Sequence, residues 1–262
     1  MATDPHLEQR FISPLLAALS ALGGSGKRAV VALNGPVGSG KTTLCRQLQQ
    51  RAAAQGLLLA VASIDDFYLP WEQRIKALAG NQFGVSRVLP GSHDAGLAQA
   101  CVDGWQRGGK LRLPRFDKSL RGGQGDRAGE ILVEADVLLL EGWLLGCRPL
   151  VSQPAGSPAM AEGGSRWDRA LVAYQPLWQL FEQLWLLRPE RWSMARRWRF
   201  QAEARQRRRG EDWLPAMELE RLVRSSLESL PPDRYQDPLI EIATCTATLD
   251  GRRRWLAGSG AS

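Results

Sequence analysis

Four short, uninterrupted apolar runs punctuate the chain, and each gives way to a stretch with helical spacing. They are "AVVALNG" (29–35), "LLLAVASID" (57–65), "VLLLEG" (137–142) and "QLWLLR" (183–188). Runs this short and this uniformly apolar, alternating with helical segments, predict an α/β fold with a mainly parallel sheet covered by helices on both faces. "LIEIATCTATL" (239–249) alternates instead and is expected at a sheet edge. Ahead of the first run, Leu7, Phe11, Leu15, Leu19 and Leu22 fall on one side of an amphipathic helix. The stretch "SQPAGSPAMAEGGS" (152–165) is rich in Pro, Gly, Ala and Ser and reads as a surface loop. The pattern predicts one domain: an N-terminal helix over 1–28, a core over 29–188, a helical lid and following helix over 189–230, and an edge strand and tail over 231–262.

Composition narrows this only modestly. With 262 residues, 44% hydrophobic and 23% charged, the chain is long enough to close one substantial core. No apolar run approaches the ~20 residues that span a bilayer. The run over 11–22 has Asp4 and Glu8 before it, where a signal peptide carries basic residues. Membrane attachment is therefore not expected. Cysteines at 45, 101, 147 and 245 are scattered, so neither a disulfide framework nor a zinc site is suggested, and a reduced, cytoplasmic setting follows. Nine arginines against two glutamates between Arg188 and Arg209 account for an excess equal to the whole chain's +7. Charge confined to one predicted helix points to a local anion clamp, and nucleic acid is not expected as a partner.

Candidate chemistry begins at "GPVGSGKTT" (35–43), which fits G-x-x-x-x-G-K-[ST] between a strand and a helix. Glycines allow a tight turn that points backbone N–H groups inward, and the helix start adds its positive dipole end. Gly35, Gly38, Ser39, Gly40, Lys41, Thr42 and Thr43 are the expected phosphate cradle. Lys41 would reach the β and γ phosphates of ATP, and the Thr42 hydroxyl would ligate Mg²⁺. Cys45 reads as a packed thiol. "SIDDFYLP" brings Asp65 and Asp66 to the carboxyl edge of the sheet, where open α/β folds bind ligands. Asp65 is the candidate base, and Asp66 is expected beside the magnesium shell or the acceptor loop. An acid pair capping a turn is the alternative. Glu141, at the same edge, is expected to hold a magnesium-bound water, the alternative being an ordinary ion pair.

Six stretches together resemble the plant and cyanobacterial type D-glycerate 3-kinase family, within the phosphoribulokinase and uridine kinase group of P-loop kinases. They are "GPVGSGKTT", "SIDDFYL", "PGSHD" (90–94), "LPRFDKS" (113–119) with "GDRA" (125–128), "LLLEGWLLGCRPL" (138–150) and "RWRFQAE" (197–203), in the family's order. The resemblance implies transfer of the ATP γ-phosphate to the 3-hydroxyl of D-glycerate, a step that closes the photorespiratory cycle in photosynthetic organisms. It also implies Asp65 as base and places "PGSHD" and "PRFDKS" around the acceptor. Glycerate needs cations for its carboxylate, which His93, Arg115 and Lys118 can supply, Arg115 first for its planar fork, and acceptors for its hydroxyls, which Asp94 and Asp117 can supply. Arg197 and Arg199 match the family's "RWR" in a lid helix and are expected at the transferring phosphoryl group. Arg205 and Arg207 to Arg209 read as a solvated face, and Trp192 and Trp198 as packing. The chain differs from the family at "SRVL" (86–89), where members carry a "YRGN"-like run, and after the lid, where "GEDWLPAMELERLV" (210–223) stands. Kinases for other small alcohols (pantothenate, uridine, ribulose phosphate) and a nucleic-acid-associated switch ATPase are the alternatives that the residues leave open.

Overall fold

The computed structural model describes residues 4–150, 165–210 and 213–259. Six strands form one sheet in the order β2 (Leu59–Ser63), β5 (Val137–Gly142), β1 (Ala29–Asn34), β6 (Phe181–Pro189), β7 (Cys245–Leu249), β8 (Trp255–Ala257). The first five run parallel, and β8 closes the edge antiparallel to β7. A separate antiparallel hairpin pairs β3 (Leu111–Asp117) with β4 (Asp126–Val133).

Parallel strands buried on both faces need no polar alternation, and β1 and β5 have none: every residue of both is buried. Their side chains still alternate between faces, and the two faces build two separate cores. Val30, Ala32, Leu138 and Leu140 join Ala98, Val102 and Trp105 of the helix Ala95–Gln106 on one side. Val31, Leu33, Val137 and Leu139 meet Leu44, Leu48 and Ala52 of the helix Lys41–Ala54 on the other. On this second side the N-terminal helix docks as its spacing predicts. Phe11, Leu15 and Leu19 are fully buried, and Phe11 meets Trp185 edge to face at 5.3 Å.

The structure corrects one expectation and adds one element. The segment 239–249 is not one edge strand: Asp237–Glu241 turns as a 3₁₀ helix behind Pro238, the strand begins only at Cys245, and β8 lies outside it. A short apolar run carries too little periodicity to separate strand from helix. The segment 111–133, to which the apolar pattern assigns no strand, is the β3–β4 hairpin, whose Pro114 and Gly129 mask its strand character. The stretch 152–165 lies outside the described residues except for Ser165, whose hydroxyl accepts from Asp168 N–H to cap the helix Arg166–Ala170. No helix among the described residues is long and apolar enough to cross a membrane.

Candidate active site

The glycine loop leaves β1 at Asn34, whose side-chain amide donates to the Leu145 carbonyl at 2.6 Å. Next, Gly35 N–H donates to the Gly142 carbonyl at 3.2 Å, so the loop and the end of β5 are tied at one sheet edge. Two of the loop's turns require glycine. Gly38 has φ 78°, and a Cβ there would stand 2.5 Å from the Arg199 backbone nitrogen; Gly40, with φ 101°, opens the helix Lys41–Ala54. Lys41 Nζ donates to the Gly35 and Pro36 carbonyls at 2.7 and 3.1 Å and lies 3.9 Å from Glu141 Oε2. Burial pushes this ammonium below the ordinary lysine value, against the opposing charges of Glu141 and Asp65. The Thr42 hydroxyl donates to Glu141 Oε1 at 2.9 Å. A hydroxyl and a carboxylate this close form a hard, all-oxygen pair of the kind Mg²⁺ takes together with phosphate oxygens.

From the turn between β7 and β8, Arg253 reaches back across the loop. Its Nε and Nη2 donate to the Gly38 carbonyl at 3.1 and 2.8 Å, Nη2 also to Trp198 O, and Nη1 to Gln201 Oε1, both at 3.0 Å. Loop, lid helix and C-terminal turn are thus held by one guanidinium.

Opposite the loop, β2 ends in the 3₁₀ turn Ile64–Phe67, closed by a reciprocal Ser63–Asp66 cap. The cap leaves Asp65 facing a cleft of about 1220 Å³ that also contains the cradle, Glu141, Tyr68, Phe116 and Lys118. Lys118 Nζ donates to Asp65 Oδ2 at 3.1 Å, and His93 Nε2 stands 3.8 Å from Oδ1. Burial alone would raise the Asp65 pKa, but the Lys118 ammonium, with the His93 ring behind the carboxyl, outweighs it and holds the group well below its usual range. Burial lowers the His93 pKa below the ordinary imidazole value, against the pull of Asp65. Its Nδ1 lies 2.9 Å from the Tyr174 hydroxyl, which accepts from Gly91 N–H. That arrangement favours the tautomer that presents Nε2–H to Asp65.

Asp66 behaves oppositely: burial pushes it up to about 6, partly offset by the Ser63 N–H that it accepts at 2.9 Å. An acid with a raised pKa favours the folded state while protonated, so this contribution is whole below about pH 4 and lost as pH rises through about 6. Asp66→Asn keeps the cap and removes the charge. Without nucleotide or divalent cation, it is expected to stabilise the protein at pH 8 by on the order of 2 kcal/mol and to have little effect at pH 4. Thermal melts at the two pH values check this; equal shifts at both would refute it.

No model of a known protein family matches the chain. Among curated proteins, it is 30% identical over 196 residues to the uncharacterized kinase mug58 of Schizosaccharomyces pombe, covering 68% of this chain and 71% of that one. It is 32% identical over 197 residues to the chloroplastic D-glycerate 3-kinase of Arabidopsis thaliana, covering 70% of this chain and 42% of the plant protein. The chain belongs to the group of P-loop kinases that includes the fission-yeast protein. Its fold matches that of the D-glycerate 3-kinase from Cryptococcus neoformans var. grubii with a TM-score of 0.75 at 22% identity, over 95% of this chain and 98% of that one.

As a small-molecule kinase of this group, the chain brings only part of its expected acceptor set into the cleft. Asp65, Asp66 and Lys118 line it. His93 sits behind Asp65, stacked on the Tyr68 ring at 4.4 Å. Asp94 caps the helix Ala95–Gln106 through Leu97 N–H and pairs with Arg127 at 3.1 Å, while Asp117 closes its own turn onto Ser119. Arg115 is exposed on β3 and is not among the residues lining the cleft. In the lid helix Met194–Arg208, Arg199 lines the cleft and pairs with Glu203 at 2.9 Å, whereas Arg197 is exposed beside the Gly251 turn. Arg205 and Arg209 line the cleft instead of lying on a purely solvated face. Trp198 is fully buried, and Trp192 Nε1 donates to Asp237 at 3.0 Å.

Two residues of the acceptor side escape sequence reasoning. Arg74 is fully buried, with its guanidinium donating to Ser86, Leu69 and Gln124 carbonyls at 2.7 to 3.0 Å and also to the Gly125 carbonyl. It staples three separate segments around the cleft without any carboxylate. Tyr68, also buried, accepts Val88 N–H at 3.1 Å. Nothing in a lone arginine on a short polar helix signals such a role.

Proposed function

We propose that the protein phosphorylates the 3-hydroxyl of D-glycerate with ATP and Mg²⁺, giving 3-phosphoglycerate and ADP. The observation that carries this reading is the Asp65 carboxyl group, 3.1 Å from the Lys118 ammonium and backed by His93, in the same cleft as Lys41 and the glycine loop. The glycerate hydroxyl attacks the γ-phosphorus, its proton passes to Asp65, and the bond to the bridging oxygen breaks to release ADP. So acidic a carboxylate is a poor base toward a resting alcohol. It serves because the hydroxyl turns acidic only as the new P–O bond forms.

Thr42 and Glu141 would hold Mg²⁺, which when bound neutralises charge on the phosphate oxygens. Lys41 would meet the β and γ phosphates, and Arg199 the transferring group. Arg199→Ala is expected to lower kcat by roughly 10²-fold or more, and Arg197→Ala, outside the cleft, by less than about threefold. Steady-state kinetics of both variants check this, and equal losses would show the lid seated differently. The cytoplasm suits the thiols: burial pushes Cys45 and Cys147 well above their ordinary value, as inert packing groups.

ADP release measured over a panel of small hydroxy acids, neutral alcohols, nucleosides and nucleic acids tests the reading. D-Glycerate as the preferred acceptor supports it. Turnover stimulated by DNA or RNA and indifferent to small alcohols would mark a switch ATPase instead.

A further inference from the structure

One buried guanidinium of the cleft wall keeps a nitrogen without a hydrogen-bond partner among the described residues. Arg87 is 7% exposed, and its Nη1 has no hydrogen-bond partner among the described residues. Other guanidiniums of the region have partners: the buried Arg74 has carbonyls, and the half-buried Arg199 and Arg253 have Glu203 and the Gly38 and Trp198 carbonyls. A desolvated charge without a counter-charge is costly, and the cost falls once a ligand anion arrives.

The backbone on either side of Arg87 is fixed. Ser86 O accepts from Arg74 Nε at 2.7 Å, and Val88 N–H donates to Tyr68 Oη at 3.1 Å. Val88 also has φ 79°, a left-handed conformation that β-branched residues avoid. Strain of this kind persists where the surroundings over-determine it, most often at ligand clamps. Trp143, next after Gly142, lines the same cleft. Its carbonyl is held by Gln236 Nε2 at 2.6 Å, and its buried indole Nε1 has no hydrogen-bond partner among the described residues.

The competing cations fit an anchor's role less well. Lys118 is 61% exposed and already engaged with Asp65, and Arg115 is exposed outside the cleft lining. We propose that Arg87 anchors the acceptor's carboxylate, with the Trp143 indole N–H as a second donor, so that the enzyme selects small hydroxy acids over neutral alcohols. The proposal rests on the reading of the acceptor as a small acid. An arginine fork meets both oxygens of a carboxylate at once, which a lysine cannot do.

The test compares kcat/KM on D-glycerate, other small hydroxy acids and glycerol for the wild type, Arg87→Met, Arg87→Lys and Trp143→Phe. Wild-type preference for an acid is expected. Arg87→Met should raise KM for that acid roughly 10- to 100-fold and leave KM for ATP within about twofold. The ratio of acid to glycerol kcat/KM should fall by a similar factor, which general structural damage would not produce. Arg87→Lys should fall between, and Trp143→Phe should raise the acid KM by about three- to tenfold. If Arg87→Met does not fold, the lysine variant carries the test.

A wild type that prefers a hydroxy acid other than glycerate overturns the glycerate reading, and the anchor is then judged on that acid. A wild type indifferent to the carboxylate overturns both. Preference for D-glycerate with an unchanged acid-to-glycerol ratio in the arginine variants overturns the anchor and leaves the glycerate reading standing.

Discussion

Lys41→Ala is expected to give a folded protein that releases no measurable ADP, a loss on the order of 10³-fold or more. The fold should survive because the loop is shaped by other groups: glycine dihedrals at 38 and 40, the Asn34 and Gly35 bonds to the end of β5, and the Arg253 brace on the Gly38 carbonyl. Lys41 contributes two bonds to loop carbonyls and a 3.9 Å pairing with Glu141, and its ammonium is disfavoured by burial. Removing it relieves a desolvated charge while taking away the cation that phosphates would meet. Circular dichroism and a coupled ADP assay check the two halves separately. A variant with more than about a tenth of wild-type turnover would remove the lysine from phosphoryl transfer.

Asp65→Asn should lower kcat by roughly 10²-fold or more while KM for ATP changes little. The amide keeps the carboxylate's shape and surrenders both the proton acceptor and the pairing with Lys118 and His93. Because those partners hold the Asp65 carboxyl well below its usual range, any acidic limb in the wild-type kcat profile belongs to another group. Steady-state kinetics from pH 5 to 9 on both proteins decide the matter. If Asp66→Asn were the crippling change and Asp65→Asn nearly silent, the base would be the neighbouring carboxylate.

The parts that could be read from the sequence are those whose physics is local. The glycine loop shows because backbone geometry dictates residue type at Gly38 and Gly40, and the apolar runs at 29–34 and 137–142 show because strands buried on both faces need every position apolar. Asp65 and Glu141 follow from knowing which strand end carries ligands. What escaped depends on pairing over long separations. The β3–β4 hairpin is stabilised by its partner strand, not by its own composition. Arg87 and Arg115 are the same residue type in polar stretches, and only folding puts one in the cleft wall and leaves the other in solvent. Arg74 is polar in sequence yet fully buried, a combination visible only once its four carbonyl acceptors are in place.

The strand order bears on how the molecule is made. β1, the earliest strand, does not pair with its successor in the chain: Val30 lies against Leu138 on one side and Phe181 on the other. While a ribosome extends the chain, the glycine loop therefore hangs from an unpaired strand until the segment around residue 142 emerges, and its Arg253 brace is added only near the end of the described chain. Such late, long-range closure slows folding and leaves apolar strands uncovered in the interval. Nucleotide added during synthesis should find nothing to bind on nascent chains halted before β5, where the glycine loop has no neighbouring strand to hold it.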